Sequence, residues 1–362
     1  MTRNGIVSQV RPEIRNLTVY QVKELDSDII FADKNENPYD IPVALKKKVL
    51  DYALERSWSR YPPIVAKDLY RRIAEYTGWV PEGVVAGNGS DEMILTMLLS
   101  FLGPGKKLVT PTPSFAMYPY VATLVGADTV YVPLNHDFTF DYDAIEETFL
   151  REGDMLVICS PNNPTGNLFA RERLERLLSM SGKPVILDEA YYEFSRVTAL
   201  DLVETCDNLI IFRTFSKAFS MAGLRLGYAL MAPALAAEIG KVKIPFNINF
   251  FSLAAAATLL ENRKELEKTM GEIVKERDSL FEAMKTIEGI VVYPSSANFI
   301  LFKTGYESEN VFEKILKNGV MIRNLSRNPL LKNTLRVTVS KKEDNVKFIE
   351  SLKNAMNELR EG

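Results

Sequence analysis

The feature that most constrains this 362-residue chain is a series of short apolar runs that recur between about Lys46 and Pro245: KLVT (107–110), TVYV (129–132), MLVIC (155–159), PVILD (184–188), NLIIFR (208–213) and GYALMA (227–232). Each is continuously apolar rather than alternating, as strands are when both faces of a sheet are covered. Between them lie stretches with helical periodicity over 91–102, 114–125, 141–150 and 170–181. Alternation of this kind predicts an α/β fold built on a mostly parallel sheet sandwiched by helices.

Downstream of Phe251 a long charged helical stretch over about 253–287 precedes strand candidates at 290–293, 298–303 and 335–339 and a closing helix over 341–360, which predicts a smaller α/β C-terminal domain. The expected organisation is an N-terminal arm (1–45) packing across both domains, a large domain (46–250) and a small one (251–362). A chain of this length exceeds what one core usually serves.

Composition removes several function classes. The formal net charge of -3, with acidic and basic residues intermixed, leaves no electrostatic footprint for nucleic acid or anionic lipid. The start, MTRNGIVSQV, has no apolar leader, and the longest apolar run, 252–260, is too short to span a bilayer. Two cysteines, Cys159 and Cys206, lack CxxC spacing. Together these predict a cytoplasmic protein. The single histidine, His136, lies in a turn-like LNHDF, so a Ser-His-Asp triad or a histidine metal site would depend on one loop residue. Proton traffic is expected through lysine, tyrosine or carboxylates instead, with no metal.

Three successive strands end on polar chemistry. MLVIC opens into SPNNPTG, PVILD into EAYYE, and NLIIFR into TFSK. Ligands of open parallel sheets bind beyond the carboxyl ends of the strands, so Asn163, Asp188 and Lys217 are expected to converge. Singly, each has an ordinary reading as a turn, a helix cap or a surface residue; on adjacent strand ends they form one constellation. A lysine amine forms a Schiff base with an aldehyde only when unprotonated, which burial and a nearby cation promote, and Arg225 supplies a cation that also fits a phosphate. In VAGNGSDEMILTMLLSF, Gly87, Gly89, Ser90 and Asp91 stand at the entry to an apolar helix, where free N–H groups attract an anion. An aldehyde carrying a phosphate and a ring nitrogen that needs a carboxylate is pyridoxal 5′-phosphate. Asp188 would pair with that nitrogen, and Asn163 and Tyr191 would bond the ring's phenolic oxygen.

SPNNPTG, VILDEAYYEF and TFSKAFSMAGLRLGY, in this order and spacing, resemble fold type I pyridoxal-phosphate enzymes of the class I/II aminotransferase family, and most closely the histidinol-phosphate aminotransferases. The similarity spans nearly the whole chain, from VRPEIRNLTVY and NENPYDIP through SRYPP and GNGSDE to GVMIRN and LRVTVS. It implies a seven-stranded central sheet, Lys217 as the Schiff-base lysine and acid/base, and Ser90, Asp91, Thr214, Ser216 and Arg225 at the phosphate. It further implies that Tyr61 reaches the phosphate of a neighbouring subunit in a homodimer with shared sites. Arg336 would take the amino acid's carboxylate, while Arg323 and Tyr20 meet the far end of the substrate and Asn37 lines the mouth. Phe115 stands where this subfamily often has a tyrosine stacked on the cofactor ring; the stacking face is kept and the hydroxyl lost. Tyr118 reads as packing. The resemblance implies transamination between histidinol phosphate and 2-oxoglutarate; an aromatic amino acid aminotransferase or a phosphothreonine decarboxylase would use the same framework. A non-enzymatic binding protein on this fold would usually carry an added basic module, and none is visible.

Overall fold

The computed structural model describes residues 5–17 and 29–361. Thirteen strands occur among them: β1 (Ile30–Phe31), β2 (Val84–Gly87), β3 (Lys107–Thr112), β4 (Asp128–Pro133), β5 (Met155–Cys159), β6 (Val185–Asp188), β7 (Leu209–Thr214), β8 (Gly227–Leu230), β9 (Ile290–Val292), β10 (Phe299–Thr304), β11 (Val320–Met321), β12 (Arg323–Asn324) and β13 (Thr334–Thr338). Seven form the central sheet in the order β2-β8-β7-β6-β5-β3-β4. Only β8 runs against its neighbours β2 and β7; the other pairings are parallel. All six apolar runs are strands of this sheet.

The continuous apolar runs have the cause expected of them. In β7, Leu209 and Ile211 enter one core while Ile210 and Phe212 enter the other; in β5, Leu156 and Ile158 divide from Met155, Val157 and Cys159 in the same way. A period of two between two apolar layers leaves no strand position for water. The helices Gly89–Phe101 and Met117–Val125 cover one face, and those over Lys67–Thr77, Tyr142–Glu152 and Arg171–Ser181 cover the other.

Two sequence expectations change. The seventh strand, β2, is only VVAG and gave no run of its own. The charged stretch over 253–287 is two helices, Phe250–Glu261 and Arg263–Lys285. They break at Asn262, whose side-chain amide and backbone N–H both donate to the Thr258 carbonyl, at 2.7 and 3.2 Å. An asparagine that satisfies a helix-end carbonyl competes with continuation of the helix.

Beyond the central sheet, β12-β13-β10-β9 make an antiparallel sheet packed against the helices Arg263–Lys285 and Ser308–Lys317 and, through Phe348 and Met356, against Lys342–Glu361. The chain before the large sheet joins it there: β1 pairs in parallel with β11, and the Thr338 N–H donates to the Ala32 carbonyl at 2.8 Å. Residues 32–37 are thereby laid between the antiparallel sheet and the carboxyl ends of β5, β6 and β7. His136 is exposed in the loop after β4. Among the described residues no helix is long and apolar enough to cross a membrane, and no acid, histidine and cysteine cluster could hold a metal ion.

Candidate active site

The last residues of β5 and β6, Cys159 and Asp188, stand opposite each other in register, and Asp188 faces Phe212 of β7. Strand alternation turns Asp188 into the core under the helix Met117–Val125. There it is 2% exposed. Its Oδ2 accepts the Tyr118 hydroxyl at 2.6 Å and its Oδ1 accepts the Ala190 N–H at 3.0 Å. Burial pushes its carboxyl up to about 6, against the opposing pull of these two bonds. Tyr118, expected only to pack, is therefore a direct partner of the acid. Phe115 lies edge-on to it, with ring centroids 5.5 Å apart.

The next residue is treated in the opposite way. Glu189 faces the other side and meets Arg213 at 2.9 Å, both almost wholly buried. Asp188 has no ion pair with any described cation. A buried carboxylate without a cation is costly, and of these two adjacent acids only Asp188 is left in that condition.

Lys217 follows β7, and its Nζ donates to the Lys34 carbonyl at 2.9 Å. Burial first, and then the charge of Arg336, lowers the amine to about 8. Arg225, the cation expected beside the amine, also lowers it, by less than Arg336 does. Glu36 and Asp91 act in the opposite direction.

Arg225 sits at the start of the helix Gly89–Phe101, where its Nη2 meets Asp91 Oδ2 at 2.9 Å. Two glycines permit this approach. Gly89 adopts φ +77°, a left-handed conformation, and a Cβ there would lie 2.7 Å from Arg225 Nη2. A Cβ on Gly227 would lie 2.7 Å from the Ser90 nitrogen. Thr214 and Ser216 are buried beside β8: the Ser216 N–H donates to Thr214 Oγ1 at 3.1 Å, and that hydroxyl reaches the Leu226 carbonyl at 3.4 Å.

On the other side, Arg336 of β13 donates through Nη1 to Asn163 Oδ1 at 2.5 Å and through Nη2 to the Asp33 carbonyl at 2.7 Å. Arg323 of β12 is its register partner, so the two arginines project from one face of the small sheet. Tyr191 is buried against Phe299, and its oxygen accepts the Asn35 amide at 2.9 Å. Asn37 is engaged at both ends by the chain itself, donating to the Ala218 carbonyl at 3.0 Å and accepting the Tyr39 N–H at 2.9 Å. Tyr61 stands apart from the other candidates, 82% exposed and stacked on Phe246 at 4.7 Å. Tyr20 lies outside the described residues.

A mostly parallel sheet with an amine, a buried acid and an amide at adjacent strand ends, and arginines on two sides, defines the class: an α/β protein with a polar centre at the carboxyl ends of its strands. Comparison with known proteins narrows it. The family model described as aminotransferase class I and II matches residues 28–352, and the chain belongs to that family, whose enzymes depend on pyridoxal 5′-phosphate. A histidinol-phosphate aminotransferase of Chlorobaculum tepidum is 38% identical over 349 residues, covering 95% of this chain and 99% of the relative. The crystal structure of the histidinol-phosphate aminotransferase from Clostridium acetobutylicum aligns with a TM-score of 0.85 at 28% identity, over 91% of this chain and all of that one. A Sinorhizobium meliloti histidinol-phosphate aminotransferase in complex with pyridoxal 5′-phosphate shares the fold, with a TM-score of 0.88 at 22% identity over 97% and 98% of the two chains.

Asp188 makes the ligand-free chain sensitive to pH. Its folded value of about 6 lies above the ordinary 3.8, so its contribution to stability is fully present below pH 3.8 and is lost as pH rises through 6. The difference amounts to about 3 kcal/mol. Denaturation midpoints of the ligand-free protein between pH 4 and 7 are expected to show this decline, and Asp188→Asn to flatten it; an unchanged slope in the variant would contradict the assignment.

Proposed function

We propose that this chain is a pyridoxal 5′-phosphate-dependent aminotransferase of the cytoplasm that moves an amino group from glutamate to imidazole acetol phosphate, forming histidinol phosphate for histidine synthesis. The observation that carries the substrate class is the cross-strand pair Arg323 and Arg336, two guanidiniums on one face beside Asn163. Histidinol phosphate ends in a phosphate and has no carboxylate, whereas glutamate and 2-oxoglutarate have two. A site that takes both in turn needs cations at more than one place. The 38% identity to a histidinol-phosphate aminotransferase over nearly the full chain supports the same reading.

The residues fit the cofactor. The buried, cation-free Asp188 suits a protonated ring nitrogen, and the glycine-lined start of the helix Gly89–Phe101 beside Arg225 suits a phosphate. Ser90, Asp91, Thr214, Ser216 and Arg225 would hold that phosphate, Asp91 through its backbone N–H at the helix start. Phe115 would lie on the ring, and Asn163 and Tyr191 would hold its phenolic oxygen. When bound, the cofactor supplies an aldehyde for amines and a ring that draws electrons from the substrate's α-carbon.

Lys217 does the proton work. With its amine lowered to about 8, about a tenth is neutral at pH 7, far more than for an ordinary lysine, and able to attack a carbonyl or accept a proton. Its Nζ would move the proton between the substrate's α-carbon and the carbon that carries the cofactor's aldehyde, in one direction with the donor and in the other with the acceptor. Arg336 fixes the donor's α-carboxylate and holds Asn163, while Arg323, with Tyr20, meets the substrate's distal anion.

The chain is further read as a homodimer, built on a large domain (46–250) and a small one (251–362) spanned by the N-terminal arm. Support comes from a band of exposed apolar side chains, Leu54, Trp58, Tyr61, Ile64 and Ile244, each more than half accessible in the single chain. A soluble protein rarely leaves such a patch uncovered, and Tyr61 within it would serve the partner's phosphate site. Sedimentation velocity is expected to give twice the 40.9 kDa chain mass; a monomer at micromolar concentration would contradict the shared site.

Substrate choice is tested by half-reactions followed through the cofactor's visible absorption, with glutamate, histidinol phosphate, phenylalanine and phosphothreonine as donors. Histidinol phosphate and glutamate are expected to react fastest. Arg323→Ala is expected to lower kcat/KM for histidinol phosphate by about 100-fold, the loss of one charge-assisted contact to a phosphate, with a much smaller effect on phenylalanine. Unchanged turnover of histidinol phosphate in that variant would refute the role given to Arg323.

A further inference from the structure

The segment linking β1 to the large domain carries a buried polar group that the proposed chemistry has not yet used. Asn35 is 1% exposed and adopts φ 56°, a left-handed conformation that asparagine tolerates better than most residues. Its backbone N–H donates to Thr338 Oγ1 at 2.9 Å. With a lone pair of that hydroxyl occupied, its proton turns to Asn35 Oδ1, 3.4 Å away. The Asn298 amide holds the Asn35 backbone carbonyl at 3.1 Å. These contacts set which end of the Asn35 amide faces the site: the NH2 is presented to Tyr191, whose oxygen lies 2.9 Å away.

An NH2 group donates and cannot accept. The Tyr191 oxygen must therefore be the acceptor in this bond, and its own proton is turned away from Asn35. No described residue accepts it. Of the charged groups that act on Tyr191, Arg336 is the strongest and offers only donors, while the oxygens of Asp188, which acts more weakly, are taken by Tyr118 and the Ala190 N–H.

We propose that Asn35 is a positioning residue that aims the Tyr191 proton into the site, so that the tyrosine can act only as a donor to an anionic oxygen of the bound ligand. This inference rests on the cofactor reading above, in which that oxygen is the phenolic one. Reversing the amide would let Tyr191 donate to Asn35 Oδ1 and leave the ligand oxygen without its donor. The lock against reversal is Thr338, at the end of β13 in the small sheet. Alignment of the tyrosine proton thus depends on contact between the N-terminal segment and that sheet, 303 residues further along the chain.

A bond donated to an anionic oxygen is strongest when no other proton shares that oxygen. Tyr191 therefore holds down the pH at which the visible spectrum of bound pyridoxal 5′-phosphate titrates. Two substitutions suit the left-handed backbone at position 35. Asn35→Gly removes the amide without placing a Cβ at positive φ, and Asn35→Asp replaces the donor with an acceptor that captures the Tyr191 proton. In protein loaded with pyridoxal 5′-phosphate, the spectral midpoint is expected to rise by about one pH unit in Asn35→Gly and further in Asn35→Asp. In a Tyr191→Phe background, Asn35→Gly is expected to add no further shift. A wild-type midpoint in Asn35→Gly, or an equal rise with and without the tyrosine hydroxyl, overturns the inference while leaving the cofactor reading intact. Failure of the wild-type protein to take up the cofactor overturns both.

Discussion

A carboxylate buried at the end of a central strand, with no cation beside it among the described residues, is the condition around which the rest of this structure is organised. Asp188 and Glu189 are neighbours, both buried, yet they are provided for in opposite ways. Glu189 turns to the face where Arg213 waits and forms a closed ion pair. Asp188 turns to the other face and receives a phenol and one backbone N–H. Strand alternation makes the separation possible, because consecutive residues leave the sheet on opposite sides. Asp188, with no cation beside it among the described residues, suits the protonated ring nitrogen of the proposed cofactor.

The cations the chain does provide stand at two separate ends. Arg225 is drawn against the start of the helix Gly89–Phe101 by glycines that leave room for it, and Arg323 and Arg336 project from the small antiparallel sheet. Between them lies the Lys217 amine, held by the Lys34 carbonyl and lowered by burial and by Arg336. Residues 33–35 supply much of the connection: the Asp33 carbonyl accepts from Arg336, Lys34 from Lys217, and Asn35 reaches Tyr191 and Thr338. The N-terminal segment is in this sense part of the candidate site, and it ties the large sheet to the small one beside Lys217, Tyr191 and Arg336.

Much of this was legible in the sequence, for identifiable physical reasons. Strands covered on both faces are apolar along most of their length, so those inside the central sheet stood out as runs, as did the partly exposed edge strand β4, and their polar exits marked Asn163, Asp188 and Lys217. β2 did not stand out, because four small residues carry too little pattern. Tyr118 looked like one more aromatic on an apolar helix, since its tie to Asp188 exists only once the helix lies over the sheet. Asn35 was hidden for a similar reason, with 156 residues separating it from Tyr191. Asn262 could be read equally as a helix interior or a helix end, and only the bonds of its amide to Thr258 decide. The opposition of Arg323 and Arg336 depends on strand register, which two separate motifs, GVMIRN and LRVTVS, do not reveal.

The claim that a lysine amine and a buried acid together form a cofactor site is tested most directly by covalent trapping. The purified protein is incubated with pyridoxal 5′-phosphate, reduced with borohydride, digested and mapped by mass spectrometry. The account predicts one stoichiometric pyridoxyl adduct, on Lys217. Scattered labelling of surface lysines, with Lys217 left unmodified, would contradict it.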